Sequence, residues 1–296
     1  MGRIVAGMES PARVPSRDCI EFQEDAMAIE FDPGYTAEPF LSLCKTYDSA
    51  SYPKADFRVE WGPIFHRGRL DGSARLLAIG QDPATHEDVT RRILIGTAGH
   101  RVQGFMAKLG ITKSYVMLNT YVFSVSSQNG GEHNKSNASI IAYRNKWFAA
   151  VMQPGKIQSV VAFGGLAQDA WHRFLVDNAG KPFKNVAFQH VLHPTWPESS
   201  SAATHGDVKA ALKEMLGKWN TAITALRPVL THDKTPDSTP YGDDFKASEL
   251  PPIPAADLPA GLPTWMSSGD GWAKRVGANT AEKRRTLQVV VPDGIV

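Results

Sequence analysis

The sequence predicts an α/β protein, a three-layer α/β/α sandwich around a central, mostly parallel four-stranded sheet. Over residues 75–226, short apolar runs of strand type alternate with longer segments whose apolar residues recur at helical spacing. The strand runs are almost continuously apolar, which is typical of a sheet covered by helices on both faces. Gly or Pro stands where several of the helices should end.

Each predicted element follows from its own local pattern. The strands are short and apolar, and the helices between them have one apolar face. The predicted strands are residues 75–79, 114–118, 158–163 and 185–189. The predicted helices are residues 99–109, 137–151, 166–177 and 207–226, with a shorter one at 39–46.

Composition divides the chain into three predicted parts. Residues 1–227 form the α/β domain, with a core at 75–226 and an N-terminal cap at 1–74. Residues 228–263 are rich in Pro, Asp, Ser and Thr, which predicts an extended wrap or linker. Residues 264–296 contain tryptophans and an apolar run of strand type, which predicts a tail that docks on the core.

Bulk properties exclude some classes of protein. The 32 basic and 30 acidic residues give a net charge of +2, so charge alone identifies no partner. There is no run of about 18 apolar residues, so we expect no membrane span. Two cysteines are too few for a disulfide framework or a four-cysteine metal or iron–sulfur site. We therefore expect a cytoplasmic monomer without metal or cofactor.

Polar residues follow three of the predicted strands. Asp82 comes after the first strand, Asn119 after the second and His193 after the fourth. Each residue alone is more typical of a turn or of packing than of a site. The carboxyl ends of parallel strands meet at one edge of a sheet, where ligands bind. Together the three residues predict a ligand site at that edge.

These segments resemble motifs of the uracil-DNA glycosylase superfamily. GQDP at residues 80–83 is identical to the water-activating motif of the common uracil-DNA glycosylases. MLNT at 117–120 resembles the strand end whose Asn reads uracil, and HPT at 193–195 resembles the second motif, usually His-Pro-Ser. FGGLA at 163–167 resembles a helix-starting segment, and EDVTRRILIGTAG at 87–99 resembles the thermophile-type members.

The resemblance spans about half of the chain and implies a DNA repair enzyme. Such an enzyme flips uracil out of single- or double-stranded DNA and hydrolyses its N-glycosidic bond. The resemblance implies that Asp82 assists water attack and that His193 stabilises the leaving base. It also implies that Asn119 distinguishes uracil from cytosine and that Gln81 contacts the base through its backbone.

Two positions depart from the family pattern. Ala84 stands where common members have the tyrosine that excludes the methyl group of thymine. Leu94 stands where an aromatic ring stacks on uracil, so it offers apolar contact without a π face. A glycosylase for deaminated purines or mismatched thymine therefore stays open, as does a damaged-DNA binding protein without turnover. A fourth alternative is a nucleotide-binding module. The absence of G-x-G-x-x-G and P-loop motifs argues against it.

DNA binding would need cations, hydroxyl groups and an apolar wedge. Arg91 and Arg92 lie in the loop after the first strand and are candidate phosphate contacts. Thr195 and Ser199 could add hydrogen bonds to phosphate. Trp196 stands where the family carries an intercalating side chain, although packing is the commoner role of a tryptophan.

Overall fold

A five-stranded sheet forms the centre of the computed structural model, which describes residues 35–126, 129–200 and 207–295, without the side chain of Ser200. Its strand order is β1-β3-β2-β4-β5. Strands β2 to β5 are parallel, and β1 runs antiparallel to β3. The strands are β1 (His66–Gly68), β2 (Leu76–Gly80), β3 (Tyr115–Asn119), β4 (Ser159–Phe163) and β5 (Ala187–Val191).

The predicted fold class is confirmed, with one strand more than predicted. Strand β1 is only three residues long and has polar residues, so it lacks the apolar run that marks the other strands. It lies in the segment assigned to the N-terminal cap, of which residues 1–34 are outside the described residues. Strand β5 begins two residues later than predicted; it is a half-buried edge strand, so burial marks its bounds weakly.

The helices lie within a few residues of their predicted bounds. Between β2 and β3 the chain forms two helices, since a short one precedes the predicted one. The helices are α1 (Phe40–Lys45), α2 (Thr85–Thr90), α3 (Gly96–Lys108), α4 (Gly130–Asn134), α5 (Ala138–Met152), α6 (Gly165–Val176), α7 (Trp196–Ser200), α8 (Val208–Leu226), α9 (Trp265–Ser268) and α10 (Thr280–Arg285). None of the helices in the described ranges is long and apolar enough to cross a membrane.

Helices cover both faces of the sheet. Because successive strand residues point to opposite faces, Leu77 of β2 packs with α5 and α6, while Leu76 packs with α3 and α8. Trp171 of α6 and Trp219 of α8 are fully buried, one on each side. The two faces of the sheet thus carry separate apolar cores. The loops that follow the parallel strands lie at the carboxyl ends of those strands, between the two helical layers.

The chain after α8 packs along the α3 side through buried ion pairs. Lys108 at the end of α3 contacts Glu249 at 2.9 Å, and Arg67 of β1 contacts Asp257 at 3.3 Å. The side chains of Arg67 and Asp257 are fully buried. These pairs attach the Pro-rich segment to the sheet layer. The predicted bounds of domain, wrap and tail stay predictions.

A short two-stranded ribbon lies in the C-terminal segment. Strand β6 (Ala273–Lys274) pairs with β7 (Gln288–Val289), which falls inside the apolar run noted in the sequence. A third apolar cluster joins this segment to the start of α3. It contains Ile95, Ile253, Met266, Trp272 and Ala273.

Asp233 connects the segment after α8 to the loop before β3. One oxygen of its carboxylate accepts hydrogen bonds from three successive backbone N–H groups before β3, of Thr112, Lys113 and Ser114. Replacing Asp233 by Ala should lower the free energy of unfolding by about 2 kcal/mol, because hydrogen bonds to a charged group are among the stronger ones. Denaturant unfolding measures this. The control is Asp243→Ala, which removes an exposed ion pair and should cost less than about 0.5 kcal/mol. Equal losses in both variants would contradict the assignment.

Candidate active site

The predicted site residues lie at one end of the parallel sheet. Asn119 is the last residue of β3 and pairs in register with Gly80, the last residue of β2. Asp82 is the second residue after β2, and His193 is the second residue after β5. Gly164, just after β4, has its Cα beside His193, since a Cβ there would lie 3.3 Å from the Cβ of His193. The ends of neighbouring strands therefore bring the three side chains to one edge.

Asn119 has a buried side-chain amide. Its side chain is 5% exposed, and neither Oδ1 nor Nδ2 has a hydrogen-bond partner among the described residues. The Asn119 side chain packs directly against the backbone of Gly80. A Cβ added to Gly80 would come within 2.3 Å of Asn119 Oδ1 and 3.5 Å of Leu94 Cδ2. Buried amides are nearly always hydrogen-bonded, so this arrangement suits a polar ligand with one donor and one acceptor.

Asp82 is a half-buried carboxylate. Its Oδ2 accepts a hydrogen bond from the Val125 N–H at 2.9 Å. Burial raises the pKa of Asp82 to about 6, and the hydrogen bonds from Val125 and Gln81 and the charge of Arg58 act against that rise. The guanidinium of Arg58 also donates to the Val125 carbonyl. Asp82 is therefore mostly ionised at neutral pH.

The loop after β3 is fastened to the Asp82 turn. The Tyr121 N–H donates to the Gln81 carbonyl at 2.9 Å, and the Ser124 hydroxyl donates to the Pro83 carbonyl at 2.7 Å. Together with the hydrogen bond from Val125 to Asp82, the loop after β3 therefore contacts three successive residues of the turn, from Gln81 to Pro83. These contacts fix the direction in which the carboxylate of Asp82 points.

Glu87 was not predicted as a site residue, yet it fastens the other side of this turn. It is 3% exposed, and its two oxygens accept from the backbone N–H groups of Ala84 at 3.0 Å and Ile95 at 2.8 Å. Burial raises its pKa to about 7. The sequence signal is an acid three residues after the N-cap residue Ala84, but Ala84 lacks the side-chain acceptor that completes a capping box.

His193 is held as a neutral imidazole. Nδ1 lies 3.1 Å from the Thr195 hydroxyl oxygen and 3.3 Å from the Thr195 backbone nitrogen, whose N–H donates to it. The contact with the N–H favours the tautomer that has its proton on Nε2. Burial lowers the pKa of His193 to about 4, and Glu198 opposes the shift. Glu198 is in turn paired with Arg101 at 2.6 Å. At neutral pH His193 is a hydrogen-bond donor through Nε2 without a positive charge.

The predicted arginine contacts to DNA make hydrogen bonds within the protein. The guanidinium of Arg91 donates to the carbonyls of Trp61 at 2.9 Å and Pro63 at 2.6 Å. Arg92 donates to the Arg91 carbonyl at 3.0 Å. Both arginines are half-buried. These contacts give Arg91 a structural task that the sequence did not indicate, and a role in phosphate binding stays a prediction for both.

The residues after His193 form a short helical turn. Trp196 is half-buried and packs against the apolar cluster of α3 and α8. The hydroxyl of Ser199 donates to the carbonyls of Thr195 and Trp196. Packing accounts for the position of Trp196, and its use as a wedge stays a prediction, as do the phosphate contacts of Thr195 and Ser199.

The remaining predicted pocket residues differ in exposure. Leu94 is buried with a backbone φ of 54°, and its side chain lies, like that of Asn119, beside Gly80. Ala84 is exposed. Within the described ranges, no group of three or more His, Cys, Asp or Glu side chains is arranged to hold a metal ion.

Burial of Asp82 should cost stability, which Asp82→Asn tests. The pKa near 6 lies above the unfolded value of about 3.9, so the folded state binds more protons between these pH values and loses stability as pH rises. Asn keeps an acceptor for the Val125 N–H without the charge. Thermal unfolding should show a higher Tm for Asp82→Asn at about pH 8, with the gain disappearing towards about pH 4. The exposed Asp243→Asn serves as control, and a pH-independent difference would contradict this account.

Comparison with known proteins identifies the family. A model of the uracil DNA glycosylase superfamily matches residues 67–220, just over half of the chain. No curated protein matches the chain significantly. The matched range contains the five strand ends and loops described above, apart from the first residue of β1. Membership indicates a DNA glycosylase that binds DNA and acts in base excision repair. The chain belongs to the uracil DNA glycosylase superfamily.

Proposed function

We propose that this protein removes uracil from DNA by hydrolysing its N-glycosidic bond. The observation that carries the proposal is the buried, unpartnered amide of Asn119 at the strand edge where Asp82 and His193 also lie. The bond is inaccessible in a stacked duplex, so the nucleotide must be flipped into this edge. The substrate is uracil in single- or double-stranded DNA.

Asn119 reads the edge of the flipped base. Uracil presents an N3–H donor beside an O4 acceptor, whereas cytosine presents an acceptor and a donor at these positions. The amide of Asn119 accepts from N3–H and donates to O4. The wrong base would leave buried polar groups of the site without hydrogen bonds. Such a site rejects that base strongly, because no hydrogen bond offsets the free energy of desolvating those groups.

Asp82 acts on the sugar. Departure of the base leaves an oxocarbenium-like sugar, which an adjacent carboxylate stabilises while it orients a water molecule towards C1′. Its ionised form is needed for both tasks. The hydrogen bond from Val125 stabilises that form and aims it, and the low polarity around Asp82 strengthens its effect on a nearby cation.

His193 acts on the base. Negative charge develops on the uracil oxygen as the bond breaks, and the Nε2–H of His193 donates a hydrogen bond to it. The Thr195 N–H donates to Nδ1, and the Thr195 hydroxyl can donate to it as well, which favours the tautomer that donates from Nε2. The depressed pKa keeps it neutral, so it stabilises the charge without transferring a full proton.

A second target class, deaminated purines, is favoured by one observation. Ala84 is small and exposed at the position where common uracil-DNA glycosylases have a bulky tyrosine. A larger base meets less obstruction there. Hypoxanthine and xanthine also present an N–H donor next to a carbonyl, which matches the groups that Asn119 offers.

An excision assay tests the proposal. End-labelled oligonucleotides with uracil, hypoxanthine, xanthine or mismatched thymine are incubated with the protein, and abasic sites are cleaved with alkali. We expect cleavage at uracil. Asp82→Asn and His193→Ala should each lower the single-turnover rate by about 10²-fold or more, and Asn119→Ala should raise KM and lower the rate. Asp243→Ala is the control. No cleavage with any base, together with tight binding, would support a binding protein without turnover instead.

The pH dependence of excision should report Asp82. Because its carboxylate must be ionised and its pKa is about 6, the rate should fall as pH decreases through about 6. His193, with a pKa of about 4, stays neutral over that range. Single-turnover rates between about pH 5 and 8 measure the profile. A rate that rises on acidification would show that a protonated group drives the reaction.

A further inference from the structure

The C-terminal strap, defined as residues 264–290, packs beside the Asp82 turn. Trp272 contacts the ring of His86 edge to face, with the ring centres 4.7 Å apart. The Ala273 N–H donates to Nε2 of His86 at 3.4 Å. Trp272 and Ala273 also share an apolar cluster with Ile95, whose N–H binds Glu87. The strap therefore contacts the segment that closes one side of the site.

Arg284 of the strap binds two separate segments of the core. Its guanidinium forms a two-point ion pair with Glu60, at 2.5 and 2.9 Å, and donates to the carbonyl of Phe57. It also donates to the hydroxyl of Ser126 at 3.4 Å. The side chain is 17% exposed, so most of the guanidinium is enclosed by these groups.

The two segments that Arg284 joins are those that hold Asp82. Phe57 and Val125 form an antiparallel bridge, and the Arg58 N–H donates to the Ser124 carbonyl at 2.9 Å. The N–H of Val125 is the group that binds the carboxylate of Asp82. Arg284 contacts Phe57 on one strand of this bridge and Ser126, next to Val125, on the other.

A second arginine attaches the strap to α2. Arg275 pairs with Asp88, whose side chain is 2% exposed, and lies 4.6 Å over the ring of Trp61. The indole N–H of Trp61 donates to the Arg284 carbonyl at 2.9 Å. The strap thus ties the helix after the Asp82 turn to the segment that faces it.

We propose that Arg284 is a positioning residue of the active site, which fixes the Phe57–Val125 bridge and so aims the carboxylate of Asp82. The role in catalysis rests on the proposed glycosylase function. An ion pair with a carboxylate as exposed as that of Glu60, at 40%, contributes little to stability by itself. Its main effect is geometric, because the planar fork of arginine holds a carboxylate and a carbonyl in fixed directions. A displaced catalytic group can lower a rate by about 10²-fold.

The test compares Arg284→Ala and Arg284→Lys with the control Arg285→Ala, an exposed neighbour on the same helix. Amide hydrogen exchange at Val125 reports the hydrogen bond between Val125 and Asp82 without any substrate. We expect exchange about tenfold faster or more in Arg284→Ala. The single-turnover excision rate should fall about 10- to 100-fold while the Kd for uracil-free DNA stays within about twofold. Lysine keeps the charge without the fork and should restore the rate only in part, and Arg285→Ala should match the wild type.

Each outcome decides a separate question. Unchanged exchange at Val125 in folded Arg284→Ala overturns the proposal, whether or not the wild type excises uracil. Faster exchange with an unchanged excision rate also overturns it. If the wild type excises no base while exchange at Val125 still accelerates, the glycosylase function is refuted and the positioning contact stands. Should Arg284→Ala fail to fold, Glu60→Gln weakens the same ion pair and is expected to change exchange and rate in the same direction.

Discussion

The partial burial of an ionised carboxylate just after β2 is the constraint on which the site depends. Water would solvate Asp82 better than this edge does, so its pKa rises to about 6. The surrounding loops limit that cost without removing it. The Val125 N–H and the charge of Arg58 favour the ionised form, and the attachments of Glu87, Ser124 and Arg284 keep those groups in place. In the proposed mechanism, this loss of stability places a negative charge beside the sugar cation.

The local pattern of the sequence was sufficient to predict the four parallel strands and the common edge at which Asp82, Asn119 and His193 lie. Each parallel strand is a short apolar run, and the rule that loops after such strands share one edge brought Asp82, Asn119 and His193 together. These predictions depend on the chain near each residue and on one topological rule. The GQDP turn and the two other strand-end motifs are contiguous, so a single sequence displays them.

The features that the sequence did not indicate depend on contacts between distant segments. Strand β1 is recognised only by its pairing with β3, since its three residues carry no apolar pattern. The neutral state of His193 depends on its burial, and the tasks of Arg91 and Arg284 depend on carbonyls about 30 and 227 residues away in the chain. An arginine that binds backbone carbonyls and one that binds phosphate are identical in a sequence. A basic residue in a loop therefore does not show which of the two groups it contacts.

The central claim is that this strand edge breaks the bond between uracil and its sugar. Mass spectrometry of the small-molecule fraction tests it most directly, after single-turnover incubation of excess protein with a uracil-containing oligonucleotide. We expect one free uracil per oligonucleotide, an intact DNA backbone with one abasic site, and no free base with Asp82→Asn on the same timescale. Retention of uracil in the DNA by folded protein that binds the oligonucleotide would contradict it.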